Sequence, residues 1–308
     1  MKILLTGARG MVGRNILNHS MSNSYEFLTP SSSELNLLDK SKINDYLAEN
    51  KPDFIIHAAG VVGGIHANIS NPVKFLIENM SMGLNLITAS KENNIKKLLN
   101  LGSSCMYPKG RDTALTEDLI LKGELEPTNE GYALAKIASA RLCEYINREN
   151  SSFEYKTAIP CNLYGKYDKF DEKNSHMIPA VIRKIVTAMK EKKEEVEIWG
   201  DGEARREFMY AADLADFIFY CIDHFSKMPQ NINVGLGHDY TITEYYKVIA
   251  KAIGYKGIFV YDKTKPVGMR RKLIDTTLLS EFGWNSKTDL KDGIAFTYQY
   301  FLNENNDD

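Results

Sequence analysis

Tyr132 and Lys136 stand four residues apart in EPTNEGYALAK, Glu126–Lys136, which puts both on one face of a helix, one turn apart. A phenol beside a fixed ammonium is a proton donor available at neutral pH. Tyrosine alone titrates near ~10, and a neighbouring positive charge lowers that value. Upstream, Lys97–Leu101 predicts a strand whose C-terminal end delivers Gly102, Ser103, Ser104 and Cys105. A serine hydroxyl there could hold a carbonyl in line with the phenol, and the three groups together suit the reduction of a ketone by hydride. Tyr-x-x-x-Lys by itself is a weak pattern. Any amphipathic helix offers it, and a surface tyrosine stacked on a lysine stem would account for it equally well. The chain must also supply a hydride carrier.

That carrier has a candidate site at the N-terminus. Lys2–Thr6 (KILLT) is a short apolar run, read as a strand buried on both faces. It feeds Gly7, Ala8, Arg9, Gly10, Met11, Val12 and Gly13, and then a helical pattern over Val12–Asn18. Glycines in this context permit a tight turn at Gly7, approach of a pyrophosphate at Gly10 and close helix–strand packing at Gly13. A second strand near Glu26–Leu28 leads into Thr29-Pro30-Ser31-Ser32-Ser33, with no acid until Glu34. NAD-binding chains place an acid there for the ribose hydroxyls, so its absence favours NADPH, with Arg9 gripping the 2′-phosphate. Asp39 is expected to meet the adenine. Asp53–His57 predicts a third strand ending in Ala58-Ala59-Gly60, small residues past which a cofactor can run. His57 and His66 read as structural.

A helical pattern over about Pro72–Asn93 returns the chain to the strand at Lys97, and Lys156–Ile159 and Asn231–Val234 predict two more strands. Strands alternating with helices at this spacing indicate an α/β fold, a doubly wound parallel Rossmann sheet with right-handed crossovers. Its ligand should lie at the carboxyl ends of the strands, where both the glycine turn and Ser103–Cys105 fall. From Gly165 the pattern loosens: a polar stretch, a helix opening at His176 and running through about Lys190, and a strand at Val196–Trp199. Residues 1–165 with about 206–236 are therefore assigned to the cofactor-binding domain. Residues from about 166–205 and 237–308 are assigned to a smaller, C-terminal substrate-binding lobe. Lys265–Lys272 is a dense basic turn which, with Arg206, suits a nucleotide-sugar pyrophosphate. The tail from Asn303 is expected to fray.

The 308 residues carry a formal net charge of −2, which gives no surface for nucleic acid or an anionic membrane. No apolar run approaches the ~20 residues of a membrane span, and no leader pattern precedes the first strand; a cytoplasmic location is expected. The four cysteines, Cys105, Cys143, Cys161 and Cys221, lack metal-ligand spacing and disulfide framework. Three sit in apolar surroundings, whereas Cys105 shares its loop with two serines.

Over essentially its whole length the chain resembles the GDP-L-fucose synthase family of the extended short-chain dehydrogenase/reductase superfamily. The likeness rests on ordered blocks: Gly7–Gly13, ELNLLD at Glu34–Asp39, VGGI at Val62–Ile65, LGSSCMYPK at Leu101–Lys109, EPTNEGYALAK, NLYG at Asn162–Gly165, NSHMIPA at 174–180, REF at Arg206–Phe208, and the segments Asn231–Gly237 and Lys265–Asp275. The resemblance implies a reductase triad of Ser103, Tyr132 and Lys136, and an acid–base pair of Cys105 and His176 for epimerisation beside a C4 ketone. It adds Asn162, Leu163 and His176 to the NADPH site, alongside Lys136. It gives Ser104, Asn162, Trp199, Arg206, Arg271 and Lys272 to a GDP-4-keto-6-deoxy sugar, in a protein expected to be a homodimer. The serines at the second strand end depart from the family, whose members can carry a second arginine there. The resemblance leaves three alternatives open: a dedicated C4 reductase for a related hexose or heptose, an NAD-dependent nucleotide-sugar epimerase or dehydratase, and a non-catalytic NADP-binding module.

Overall fold

The computed structural model describes residues 1–171, 175–265 and 268–305. Asn174 of the NSHMIPA block, residues 266–267 of the basic segment and residues 306–308 of the tail lie outside the described residues.

In chain order the first half runs β1 (Lys2–Thr6), α1 (Met11–Leu17), β2 (Glu26–Leu28), α2 (Lys40–Asn50), β3 (Phe54–His57), α3 (Ile65–Ser70), α4 (Pro72–Glu92), β4 (Lys97–Leu101), α5 (Glu130–Glu149) and β5 (Glu154–Pro160). Then come β6 (Asn162–Tyr164), α6 (Met177–Lys190), β7 (Glu195–Trp199), β8 (Arg205–Arg206), β9 (Phe208–Tyr210), α7 (Ala211–Asp223) and β10 (Asn231–Val234). The last stretch holds β11 (Tyr240–Thr241), α8 (Ile242–Ile253), β12 (Ile258–Asp262), β13 (Arg271–Lys272), α9 (Thr277–Phe282) and α10 (Leu290–Asn305).

The central sheet has six strands in the order β10-β5-β4-β3-β1-β2, all parallel. Its inner strands are apolar on both faces because helices cover both. On one side Ile43 and Leu47 of α2, Leu86 and Ile87 of α4, and Cys143 and Ile146 of α5 pack on Leu4, Ile55 and Leu98. On the other, Ile16 of α1, Leu214, Phe217 and Ile218 of α7, and Trp284 pack on Ile3, Leu5 and Leu99. A further cluster, away from this sheet, joins α6, α8 and α10 through Ile178, Ile182, Ile185, Tyr245, Ile249, Ile294 and Phe301, over β7 and β9. The ends of α8 are specified locally. Thr241 and Glu244 form a reciprocal capping box, and Gly254 closes the helix at φ 85.

Three small sheets complete the chain: β6 with β9, β7 with β12, and β11-β8-β13. The last revises the reading of Lys265–Lys272 as a turn, since Arg271 and Lys272 pair in parallel with Arg205 and Arg206. Asp239, with its side chain 2% exposed, is the reason. Its Oδ1 accepts from Arg205 Nε at 2.7 Å and its Oδ2 from Arg271 Nε at 2.6 Å, so one buried carboxylate ties both strands together.

Candidate active site

The glycine turn shows a different constraint at each glycine. Gly7 has φ 74, and a β-carbon there would stand 2.7–2.8 Å from the main chain of Ala58 and Ala59. A β-carbon at Gly13 would meet the Gly7 carbonyl at 2.4 Å. Gly10 is exposed, a β-carbon on it would touch only the Gly7 carbonyl, at 3.4 Å, and it caps α1 without any side-chain hydrogen bond. A strand end packed this tightly against a helix start, with an open glycine between Arg9 and the half-buried Met11 and Val12, fits the main-chain cradle of a dinucleotide pyrophosphate.

Arg9 is exposed on this turn. The first acid beyond β2, Glu34, is engaged in its own turn: its Oε2 accepts from Ser31 N at 2.7 Å and Ser31 Oγ at 2.6 Å. Those bonds, and to a smaller extent Arg9, hold its carboxyl below the ordinary range. No free acid is thus offered at this strand end, and Arg9 stands near enough to Glu34 to act on it electrostatically. Asp39 has a local explanation. Its Oδ1 caps α2, accepting from Ser41 N at 3.1 Å and Ser41 Oγ at 2.7 Å.

At the end of β4 the chain makes one tight turn, Ser104–Met106, and the Ser103 hydroxyl accepts from Cys105 N at 3.4 Å. Ser104 and Cys105 are buried. Lys136, on the buried face of α5, donates from Nζ to the Leu101 carbonyl at 2.9 Å, and Nζ lies 5.8 Å from the centre of the Tyr132 ring. Burial pulls the ammonium down to about 8, against the influence of Cys105. The tyrosine reverses the expectation from sequence. Burial, with Cys105 adding to it, pushes the phenol well above its ordinary range, and Lys136 does not offset this. Tyr132 is therefore a neutral phenol, the form that has a proton to give. The Cys105 thiol is also pushed up by burial, while Lys272, Ser103 and Lys136 pull it the other way.

Two walls border this centre. On one side Gly60, Val61 and the VGGI segment are fixed by Asn79 of α4, which accepts from Val61 N at 2.8 Å and donates to Val61 O at 3.0 Å. A β-carbon on Gly60 would stand 3.1 Å from Asn79 Oδ1 and 3.9 Å from Lys136 Nζ, and one on Gly64 would reach the Ser175 carbonyl at 3.4 Å. The segment bearing His176, at the start of α6, therefore packs on the same loop that touches Lys136. His66 meets Trp199 edge to face at 5.7 Å on this side. Trp199 is 42% exposed and donates from Nε1 to Glu197. His57 is buried against Thr6 Oγ1 at 2.9 Å and held to about 3 by burial, with Lys136 adding to it, a structural position.

On the other side Lys272 acts electrostatically on Cys105 and is itself pulled down by burial and by Arg206. The Asn162 amide donates to the Glu207 carbonyl at 2.9 Å, beside half-buried Leu163. The Glu207 carboxylate accepts from Leu236, Gly237 and Ile274 main-chain N–H groups at 2.6, 2.9 and 3.0 Å, which fixes the segment just after β13 against the loop after β10. Arg271 is committed differently from Lys272. Its Nε is on Asp239, and Nη1 donates to the Asp112 carbonyl at 3.1 Å.

Sequence reasoning missed three of these groups. Asn79 had a signal, a polar residue between Phe75 and Gly83 on the buried stripe of α4. Glu207 lay inside a quoted block without a role. Asp168 carried none. Its Oδ1 lies 3.4 Å from His176 Nδ1, and its hydrogen bond raises the imidazole pKa against burial. Among the described residues no group of histidine, cysteine and acidic side chains could hold a metal ion, and no helix is long and apolar enough to cross a membrane.

Residues 3–235 match the NAD dependent epimerase/dehydratase family. The chain is 78% identical to GDP-L-colitose synthase of Yersinia pseudotuberculosis over 308 residues, the whole of both proteins. It is 47% identical to GDP-L-fucose synthase of Azorhizobium caulinodans over 304 residues, 99% of this chain and 97% of the relative. Among solved structures, a GDP-mannoheptose C4 reductase from Campylobacter jejuni with NADP bound superposes with a TM-score of 0.88 at 30% identity, over 98% of each chain. The chain belongs to the NAD dependent epimerase/dehydratase family, within its GDP-L-fucose synthase-like group.

Proposed function

We propose that the protein reduces the C4 ketone of a GDP-4-keto-6-deoxy sugar with NADPH, after inverting a neighbouring carbon. The relative at 78% identity favours a precursor of GDP-L-colitose over one of GDP-L-fucose, and the heptose reductase keeps a dedicated C4 reductase as the second reading. The observation that carries the two-step reading is the setting of Cys105. It sits in the tight turn after β4, its N donating to Ser103 Oγ at 3.4 Å, close enough to Tyr132, Lys136 and Lys272 for their charges to interact, which supports a thiol and a phenol serving one carbonyl neighbourhood.

NADPH, when bound, supplies the hydride for C4. Gly7, Gly10, Met11, Val12 and Gly13 would hold its pyrophosphate, Arg9 its 2′-phosphate, Asp39 the adenine side, and Ala58, Ala59, Asn162, Leu163 and His176 the remainder. A ketone at C4 acidifies the hydrogens on C3 and C5. Cys105, as thiolate, takes one such proton, and imidazolium His176 returns one to the opposite face. Ser103 then holds the carbonyl oxygen and Tyr132 gives it a proton, while the Lys136 charge supports the phenolate left behind. Arg206 and Lys272 are suited to the GDP pyrophosphate, with Ser104, Asn162 and Trp199 near the sugar. Arg271 acts there through Nη2, its Nε being on Asp239 and its Nη1 on the Asp112 carbonyl.

Residues 1–165 with about 206–236 serve the cofactor in this reading, and the remainder serves the substrate. A homodimer is supported by the exposed Ile69, Val73 and Ile77, four residues apart along α3 and α4, and by Leu134 and Tyr145 on α5. Four unlinked, buried cysteines suit the cytoplasm.

The test is incubation with GDP-4-keto-6-deoxymannose in deuterated water, first without and then with NADPH, the sugar followed by NMR. Deuterium is expected at C3 or C5 before reduction and an inverted product after it. Cys105→Ser should stop the exchange yet still reduce a substrate already inverted. Reduction without exchange in the parent would make the protein a dedicated C4 reductase.

A further inference from the structure

The turn after β6 is gripped from three directions. Asn15 of α1 donates to the Lys166 carbonyl at 3.1 Å, and the Arg14 guanidinium lies 3.9 Å over the Tyr167 ring. That ring meets Tyr300 of α10 edge to face at 5.3 Å, and Phe170 packs against Phe301 at 4.9 Å. Tyr167 itself has φ 70, a conformation costly for a bulky residue and held by these anchors. The outcome is that Asp168 is turned inward, its side chain 4% exposed. Oδ1 accepts from Lys169 N at 2.8 Å and faces His176 Nδ1 at 3.4 Å. Oδ2 is buried with no hydrogen-bond partner among the described residues. A buried carboxylate left half-satisfied is expensive to keep. A structural turn would do as well with asparagine or serine.

We propose that Asp168 is the positioning residue for His176, holding its imidazole with the hydrogen on Nδ1 so that Nε2 is the atom that delivers the proton during inversion. The proposal rests on the reading of His176 as the returning acid. A carboxylate only accepts, so the facing Nδ1 must carry hydrogen in both charge states of the ring. In the imidazolium, Nε2 carries the second proton. It passes to the carbanion carbon, the C–H bond forms, and the ring is left neutral with Nε2 bare. Nε2 then recovers a proton from solvent, as Cys105 returns to solvent the one it took, and Asp168 takes no part in the transfer. The charges bearing on the ring are Asp168, which raises its pKa, and Lys169, which opposes it. Gly64, packed on the neighbouring Ser175, brings none.

The test compares parent, Asp168→Asn and His176→Asn in solvent deuterium exchange with GDP-4-keto-6-deoxymannose, without NADPH, across the pH range from about 5.5 to 9. The control is NADPH-dependent reduction of an already inverted 4-keto sugar. Asp168→Asn is expected to slow exchange at least about 30-fold more than it slows reduction, and to move the limb that reports imidazolium to lower pH. Equal losses in exchange and reduction, or an unmoved limb, would overturn the proposal. A second measurement needs no variant: ring ¹⁵N shifts of His176 in the parent should show the Nδ1–H tautomer when neutral, and the Nε2–H tautomer would refute it. If His176→Asn exchanges at the parent rate, the acid–base reading fails instead, and the proposal falls with it.

Discussion

Burial of Lys136 makes a prediction about stability that is separate from catalysis. Lys136 is 7% exposed, and its ammonium is moved from its ordinary 10.5 to about 8. The unfolded chain therefore binds this proton more tightly than the folded one. Below about pH 8 the folded protein carries the full cost of the buried charge, on the order of 3 kcal/mol. As pH rises from about 8 towards 10.5 the folded form sheds the proton first and the cost is relieved. Lys136→Met removes the titration altogether, together with the 2.9 Å bond to the Leu101 carbonyl, a loss that does not vary with pH. The unfolding free energy of the parent should thus gain on that of the variant by roughly 2 kcal/mol between about pH 7 and 9.5. Urea unfolding of both proteins side by side at several pH values isolates this term, because every other lysine and tyrosine titrates in both. A difference that stays flat over that range would mean that Lys136 is not desolvated as its surroundings indicate. It would also remove the argument that a poised, readily discharged ammonium sits beneath Tyr132.

Replacing Arg9 with alanine should raise the KM for NADPH far more than that for NADH, by an amount corresponding to about 1.5–3 kcal/mol for a charge-assisted phosphate contact; equal effects would take the 2′-phosphate away from Arg9. Asp239→Asn should destabilise the β11-β8-β13 sheet by about 1 kcal/mol, a modest figure because both arginines are more than a third exposed. Although burial pushes the Asp239 carboxyl up, its bonds to Arg271 and Arg205 hold it below the ordinary range. Its contribution is therefore present above about pH 4 and is lost in acid, so parent and variant should converge in thermal unfolding at low pH.

The parts of the fold that were legible in the sequence are those with a period or a punctuation mark. Lys2–Thr6 and Lys97–Leu101 are short, mainly apolar runs and Asn231–Val234 alternates asparagine with an aliphatic residue, and each is a strand over those limits. Pro72 sets the start of α4, where proline costs least. The two-residue strands β8, β11 and β13 were not legible, since a segment that short has no periodicity; they form because Asp239 finds two arginines from distant places. The direction of the Tyr132 shift was misjudged for a related reason. Spacing on a helix told that Lys136 is one turn away, but not that the phenol and the ammonium are both withdrawn from water, and desolvation, with Cys105 adding to it, sets the direction at Tyr132. Asp168 and His176 meet through a turn whose shape is set by α1 and α10, and no local pattern announces such a meeting.

The position of β13 bears on the order in which the molecule is born. Strand β10, the sixth of the central sheet, pairs with β5, so a nascent chain completes that sheet once Val234 has left the ribosome. Lys272, whose charge bears on Cys105, emerges later, and its strand docks on Arg205–Arg206, which by then has waited through the synthesis of more than sixty residues. At the ~5–20 residues per second of translation this is an interval of several seconds. During it the chain has its glycine turn and the Tyr132 phenol but lacks β13. The thiol then lacks the Lys272 charge that pulls its pKa down against burial, so the surroundings of Cys105 are completed only after the central sheet is.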